Sequence, residues 1–230
     1  MSMDILLVDD EVEIVELLEV YLQNEGFSVR KFHTAEEAFR SVLEAPPDLA
    51  LLDVMLPDSD GFSLCRRIRE NHTFPVIMLT AKVEDMDKIR GLSLGADDYI
   101  TKPFNPLEVV ARVKAQLRRA VRYNEASGAS SNVIDFSGLV INKDTHECTL
   151  YDKPLGLTPT EFNILWYLCE NRGRVVPPEE LFEQVWGEKF LDCNNTVMVH
   201  IRRLREKMNE PSRRPRFIRT VWGVGYKIEG

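Results

Sequence analysis

Two unlike units are predicted from this sequence. The first, residues 1–120, is an α/β domain with a doubly wound, five-stranded parallel sheet; the second, residues 133–230, is smaller, rich in helix and ends in a hairpin. Three observations carry that expectation. Short apolar runs alternate with longer amphipathic segments up to about residue 120. A polar stretch of small residues, 121–132, then interrupts the pattern and reads as a flexible linker. Beyond it the spacing changes to short strand-like pieces and three helical stretches.

Residues 5–8, 49–52 and 76–79 are continuous apolar runs, the pattern of strands buried on both faces of a parallel sheet. Residues 27–32 are more polar and suit an edge strand, and 99–100 form a weaker fifth candidate. Thr34 and Glu37 have capping-box spacing before a helix, and Asn105 precedes a proline suited to the first helical position. Five strand and five helix candidates alternate strictly, and parallel strands require crossover connections, which predicts double winding. In the second unit, 133–136, 139–141 and 147–151 read as strands. Thr158, Pro159 and Glu161 open a helix with a capping box, and helical stretches are expected over 160–171, 179–186 and 195–208. Residues 217–220 and 226–228 flank Gly223 and Gly225 as a hairpin.

With 44% hydrophobic and 29% charged residues in 230, wholesale disorder is excluded. The net charge of -8 argues against a nucleic-acid partner only when averaged, because residues 1–120 carry -8, 121–193 carry -6 and 194–228 carry +7. No apolar stretch approaches the roughly 20 residues that cross a bilayer, and no basic segment precedes the first apolar run, so a cytoplasmic protein without a membrane span is expected. Cys65, Cys148, Cys169 and Cys193 lie far apart, which points to reduced, partly buried thiols rather than a zinc site or disulfides.

The polar residues that follow the buried runs carry the chemistry. Asp9 and Asp10 follow the first strand, Asp53 ends the third, Thr80 follows the fourth and Lys102 the fifth. Carboxyl ends of parallel strands share one edge, where ligands bind at the topological switch point. Three carboxylates crowded together repel unless a cation is present, and all-oxygen ligands favour a hard divalent ion such as Mg²⁺. Lys102 adds a point charge for an anion and Thr80 a hydroxyl donor. An aspartate in such company is equipped to accept a phosphoryl group. Glu11 is expected to cap the first helix.

The second unit carries a basic helix. Val197, Ile201, Leu204 and Met208 make an apolar stripe, and Asn195, Val199, Arg202, Arg203 and Glu206 stand on the opposite side at 100° per residue. Thr196, His200 and Lys207 flank that side, with Arg205 on the other. Arginines opposite a buried stripe suit the DNA major groove, and Arg213, Arg214, Arg216 and Arg219 follow immediately.

Residues 7–11 (LVDDE), 52–57 (LDVMLP), 79–81 (LTA) and 97–104 (DDYITKPF) resemble the signature segments of receiver domains of two-component response regulators. Residues 157–162 (LTPTEF), 196–205 and 220–226 (TVWGVGY) resemble the winged helix-turn-helix effector domain of the OmpR/PhoB subfamily, and within it VanR-type regulators of glycopeptide-resistance operons. The resemblance implies Asp53 as phosphoacceptor for a sensor histidine kinase, with slow self-dephosphorylation and no classical enzyme activity. It implies Asp10 and Asp53 as Mg²⁺ ligands, with Asp9 and the Met55 carbonyl contributing, Lys102 on the phosphoryl group through a cis Lys102–Pro103 bond, and Thr80 with Tyr99 as a switch pair. It further implies a phosphorylation-dependent homodimer through the helix before the fifth strand, that strand and the helix after it, with Lys88, Asp97, Asp98, Glu108, Arg112 and Arg119 in intermolecular salt bridges. Promoter DNA would be contacted by Asn195, Thr196, Val199, His200, Arg202, Arg203, Arg205, Arg219, Thr220 and Tyr226, with RNA polymerase as a further partner. Several members of the subfamily carry arginine in the wing where this chain has Trp222, so no minor-groove arginine contact is expected from that position and Trp222 is expected to pack instead. Two other readings share parts of this chemistry: an Mg²⁺-dependent aspartyl-phosphate phosphatase or phosphotransferase, which would want an acid where Met55 stands, and a receiver acting through protein contacts alone.

Overall fold

The computed structural model describes residues 2–81, 95–121, 132–187, 194–211 and 215–229, without the side chains of 119–121 and 194–195. The helix expected before the fifth strand, Lys88, residues 122–131 of the linker, Arg213, Arg214 and the side chains of Arg119 and Asn195 therefore lie outside the described residues. The chain divides into two units, Met1–Leu117 and Arg118–Gly230.

In the first unit β1 (Asp4–Val8), β2 (Ser28–Phe32), β3 (Leu49–Asp53), β4 (Val76–Ala81) and β5 (Asp98–Lys102) form a sheet in the order β2-β1-β3-β4-β5. Every neighbouring pair is parallel, and the more polar β2 is an edge strand, as its composition predicts. The alternation of side chains along each strand feeds two cores. Ile5, Leu7, Leu49, Leu51, Ile77 and Leu79 pack with Val15, Leu18 and Leu22 of α1 (Val12–Asn24) and Val109, Val113 and Leu117 of α4 (Pro106–Val121). Leu6, Val8, Ala50, Leu52, Val76 and Met78 pack with Ala35, Ala38 and Val42 of α2 (Ala35–Glu44) and Phe62, Leu64, Cys65 and Ile68 of α3 (Gly61–Arg69). These runs are uniformly apolar because helices cover both faces. Fully burying each Val, Leu, Ile, Phe or Met side chain among them contributes roughly 1.5–3 kcal/mol.

The helix starts follow their sequence signals. Thr34 Oγ1 accepts from Glu37 N, Asp60 Oδ1 from Ser63 N, and Asn105 Oδ1 from Leu107 N. Glu11 stands at the N-cap of α1 but makes no side-chain cap, so that expectation is corrected: its carboxylate is drawn to Lys102 instead. Gly61 is needed where α3 begins, since a Cβ there would stand 1.9 Å from the Asp53 carbonyl oxygen.

The second unit has an antiparallel sheet of β6 (Val133–Phe136), β7 (Leu139–Asn142), β8 (Glu147–Leu150) and β9 (Lys153–Pro154). The sequence pattern missed β9, whose two exposed residues carry no periodicity. Then come α5 (Pro159–Glu170), α6 (Pro178–Trp186) and α7 (Asn194–Lys207), and the hairpin of β10 (Ile218–Val221) and β11 (Gly225–Ile228). Phe162, Leu165, Leu181, Trp186, Val197, Ile201, Leu204, Ile218 and Ile228 share one core. Val176 bridges Tyr226 beside the hairpin, and Gly225 permits that approach, because a Cβ there would lie 2.1 Å from the Val176 carbonyl oxygen. Among the described residues no helix is long and apolar enough to cross a membrane.

Candidate functional site

The sheet order places the loops after β1 and β3 on either side of the switch point, and the expected pocket forms there. Asp9, Asp10 and Asp53 each offer a carboxylate oxygen within 4.8 Å of the others. Asp9 and Asp53 are buried, and Asp10 is exposed. Lys102, reaching in from the end of β5 beside a cis Lys102–Pro103 bond, sets Nζ 2.7 Å from Asp9 Oδ2, 2.9 Å from Asp53 Oδ2 and 2.9 Å from Glu11 Oε1. Met55 N donates to Asp53 Oδ1 at 3.2 Å, which orients that carboxylate and leaves the Met55 side chain in solvent.

The charges are interdependent. Burial raises the Asp9 carboxyl above its ordinary value, with the Asp53 charge adding to that effect and hydrogen bonds from Lys102 and Glu11 N opposing it. Burial opposes the Lys102 ammonium, but its hydrogen bonds to Asp9, Glu11 and Asp53 outweigh burial and hold its pKa above the ordinary lysine value. One ammonium stands against four carboxylates, so the pocket keeps an anionic surplus. Three aspartate oxygens this close form a donor set that fits a hard divalent cation, with room for waters on the exposed Asp10 side. Glu11 was missed as a pocket residue. Its position directly after two aspartates was the available signal, and the capping reading obscured it.

Thr80 is buried, and its hydroxyl donates to the Ala81 carbonyl at 3.1 Å. Tyr99 is half-buried against the core beneath α2 and α3. Of the residues expected at a dimer face, Asp97 is corrected. It is fully buried, and its Oδ2 accepts from Arg69 Nη2 at 2.7 Å and Val76 N at 3.0 Å. Arg69 also donates to the carbonyls of Gly95 and Phe74, so this pair fastens α3 to the segment entering β5. Asp98 and Glu108 both pair with Arg112 at 3.1 Å within the chain.

The basic helix differs from its helical-wheel expectation. Thr196, Val199, His200 and Arg203 are buried, so these four do not form an exposed reading face. The reason for Arg203 is Glu161. That capping-box carboxylate is fully buried, accepts from Thr158 N, and takes Arg203 Nη2 at 3.1 Å and Lys207 Nζ at 2.6 Å. A charge in a core demands partners, and one helical turn supplies both. His200 lies 5.4 Å from the Trp186 ring, which accounts for a further share of the wider buried stripe. Arg205 is also occupied, donating to the Ile218 carbonyl at 2.7 Å and Thr220 Oγ1 at 2.8 Å, and so ties α7 to the hairpin. Tyr226 packs half-buried on the core. Among the described residues of α7 and the segment after it, the exposed arginines are Arg202, paired with Glu206 at 2.9 Å, Arg219, paired with Glu229 at 2.7 Å, and Arg216. Trp222 is 90% exposed at the hairpin tip, which corrects the expectation that it packs.

An acidic pocket on a doubly wound sheet, followed by a helical unit with a terminal β-hairpin wing, is the architecture of a receiver domain joined to a DNA-binding module. Comparison with known proteins agrees. The family described as "Response regulator receiver domain" matches residues 5–114, and "Transcriptional regulatory protein, C terminal" matches residues 152–228. The chain is 60% identical to the regulatory protein VanRc of Enterococcus gallinarum and 56% identical to the regulatory protein VanR of Enterococcus faecium, with the whole of each chain covered. A solved structure of the response regulator DrrB, a Thermotoga maritima OmpR/PhoB homologue, is 36% identical with a TM-score of 0.53 and full coverage of both chains. The chain therefore belongs to the two-component response regulators of the OmpR/PhoB type, which regulate transcription.

Proposed function

We propose that Asp53 is the phosphoacceptor and that its phosphorylation by a sensor histidine kinase controls promoter binding. The observation that carries this is Lys102 bridging Asp9 and Asp53 beside the exposed carboxylate of Asp10. A carboxylate oxygen of Asp53 forms the new P–O bond as the P–N bond to the donor imidazole breaks, and the imidazole keeps the electron pair and takes up a proton. Bound Mg²⁺ supplies charge neutralisation for the phosphoryl oxygens, and Asp10, Asp53, Asp9 and the Met55 carbonyl would hold it. Lys102 exchanges a carboxylate partner for a phosphoryl oxygen. The Thr80 hydroxyl leaves the Ala81 carbonyl for the same group, and Tyr99 moves into the space it vacates. Water later hydrolyses the acyl phosphate slowly, which returns Asp53.

The switch favours a receiver homodimer in which Asp98, Glu108 and Arg112 exchange their intrachain partners for those of a second copy, with Lys88 and Arg119 alongside. A dimer raises the effective concentration of two DNA-binding modules on adjacent half-sites. Arg202 on α7 and Arg219 on the wing offer exposed cations to DNA, and Asn195, Arg205, Thr220 and Tyr226 complete that surface. RNA polymerase is the further partner, and the identity to VanR and VanRc supports a VanR-like regulon of glycopeptide resistance. Selection from random duplexes by the chain treated with acetyl phosphate and Mg²⁺ is expected to enrich paired half-sites whose centres lie about one helical turn, 10–10.5 base pairs, apart. Failure to enrich any sequence contradicts the promoter-binding reading.

A further inference from the structure

The turn between β2 and α2 touches both loops of the acidic pocket. His33 Nδ1 lies 2.9 Å from the Asp9 carbonyl oxygen, at the end of β1. Two residues on, Ala35 N and Glu36 N donate to Asp58 Oδ1 and Oδ2 at 2.9 and 3.0 Å. Asp58 belongs to the loop that leaves Asp53 and contains Met55. The far end of that loop is pinned as well, through the bridge between Met55 and Asp60 and the bond from Gly61 N to the Val54 carbonyl. The first turn of α2 thus takes one cap from inside and one from outside. Thr34 satisfies Glu37 N, and Asp58 satisfies the two N–H groups before it. The slight burial of Asp58 would raise its carboxyl, but the Ala35 and Glu36 N–H groups outweigh burial and hold it below the ordinary value.

We propose that Asp58 is a positioning residue for the cation site. Through the first turn of α2 it fixes the loop carrying the Met55 carbonyl relative to the β1 end carrying Asp9 and Asp10. Thr34 caps its helix from a neighbouring position, whereas the Asp58 bonds, besides capping, join two separate loops across 22 and 23 residues of sequence. A divalent cation bound between those loops needs their spacing held, and the bonds that hold it govern affinity without touching the ion. This inference rests on the Mg²⁺ site proposed above.

The test is calorimetric titration of Mg²⁺ into the full, unphosphorylated chain, together with thermal unfolding without Mg²⁺. Asp58→Ala is expected to weaken Mg²⁺ binding roughly tenfold, the low end for groups that orient metal ligands. Asp58→Asn, which keeps one acceptor, is expected to fall between. Thr34→Ala removes a cap from the same helix without touching the loop, so it is expected to lower the melting temperature and leave Mg²⁺ affinity unchanged. Equal affinity in wild type and Asp58→Ala overturns the positioning role while the cation site stands, as does equal weakening in Thr34→Ala, which would make the effect one of helix stability. Absence of Mg²⁺ binding by the wild type overturns the cation site and this inference together.

Discussion

Replacing Asp53 with asparagine is expected to abolish phosphoryl uptake from acetyl phosphate and Mg²⁺. An amide oxygen is a poor nucleophile and cannot carry the charge that the new P–O bond requires. The fold should survive. Asparagine keeps the shape, its Oδ1 can still accept from Met55 N, and Lys102 retains Asp9 and Glu11. Intact-mass measurement reads the result directly: wild type gains one phosphoryl group and Asp53→Asn gains none. Labelling of the variant at the wild-type rate contradicts the assignment of Asp53. Asp9 is also buried and contacts Lys102, which makes it the most credible alternative acceptor and Asp9→Asn the paired control.

Arg203→Ala is expected to unfold the second unit more readily rather than merely to weaken DNA contacts. The change leaves Glu161 fully buried with Lys207 as its remaining cation. Removing one partner of a buried ion pair typically costs roughly 3–5 kcal/mol, and Lys207 keeps the expected cost toward the lower end of that range. Burial alone would raise the Glu161 carboxyl, but the charges of Arg203 and Lys207 outweigh it and hold the group below its ordinary value. A depressed carboxylate contributes stability above the unfolded value of about 4.3 and loses it as pH falls through the lower folded value. The gap between wild type and variant should therefore narrow below about pH 4. All three tryptophans, Trp166, Trp186 and Trp222, lie in the second unit, so tryptophan fluorescence during urea unfolding reports that unit within the full chain. An unchanged urea midpoint at neutral pH combined with lost DNA binding contradicts the structural role and restores Arg203 as a DNA contact.

These two residues also mark what was legible in the sequence. Three of the five strands and the pocket were, because the uniform apolar runs of β1, β3 and β4 force burial on both faces and the polar residue after each run must then emerge at one edge, while the polar composition of β2 marked it as an edge strand. Thr34, Asn105 and Thr158 were legible as caps because capping is a local interaction between residues two or three apart. Arg203 and Asp97 were not. Each is a charged residue whose partner, Glu161 or Arg69, is remote in sequence, and a helical wheel or a family position assigns it to the surface by default. A wheel drawn for α7 alone also omits α5, α6 and the wing, which surround it and widen the buried stripe to include Thr196 and His200. Glu161 held a usable signal. A capping-box glutamate inside an otherwise apolar segment is a charge facing a core, and it predicts a cation elsewhere in the chain.

Phosphorylation of Asp53 is expected to govern DNA binding. The most direct measurement is the fluorescence anisotropy of one selected duplex titrated with the full chain at fixed salt, with and without acetyl phosphate and Mg²⁺, for wild type and Asp53→Asn. Treatment is expected to tighten binding by wild type at least tenfold, about 1.4 kcal/mol of coupling, and to leave Asp53→Asn unchanged. Equal affinities for treated and untreated wild type, or equal tightening of the variant, would contradict it.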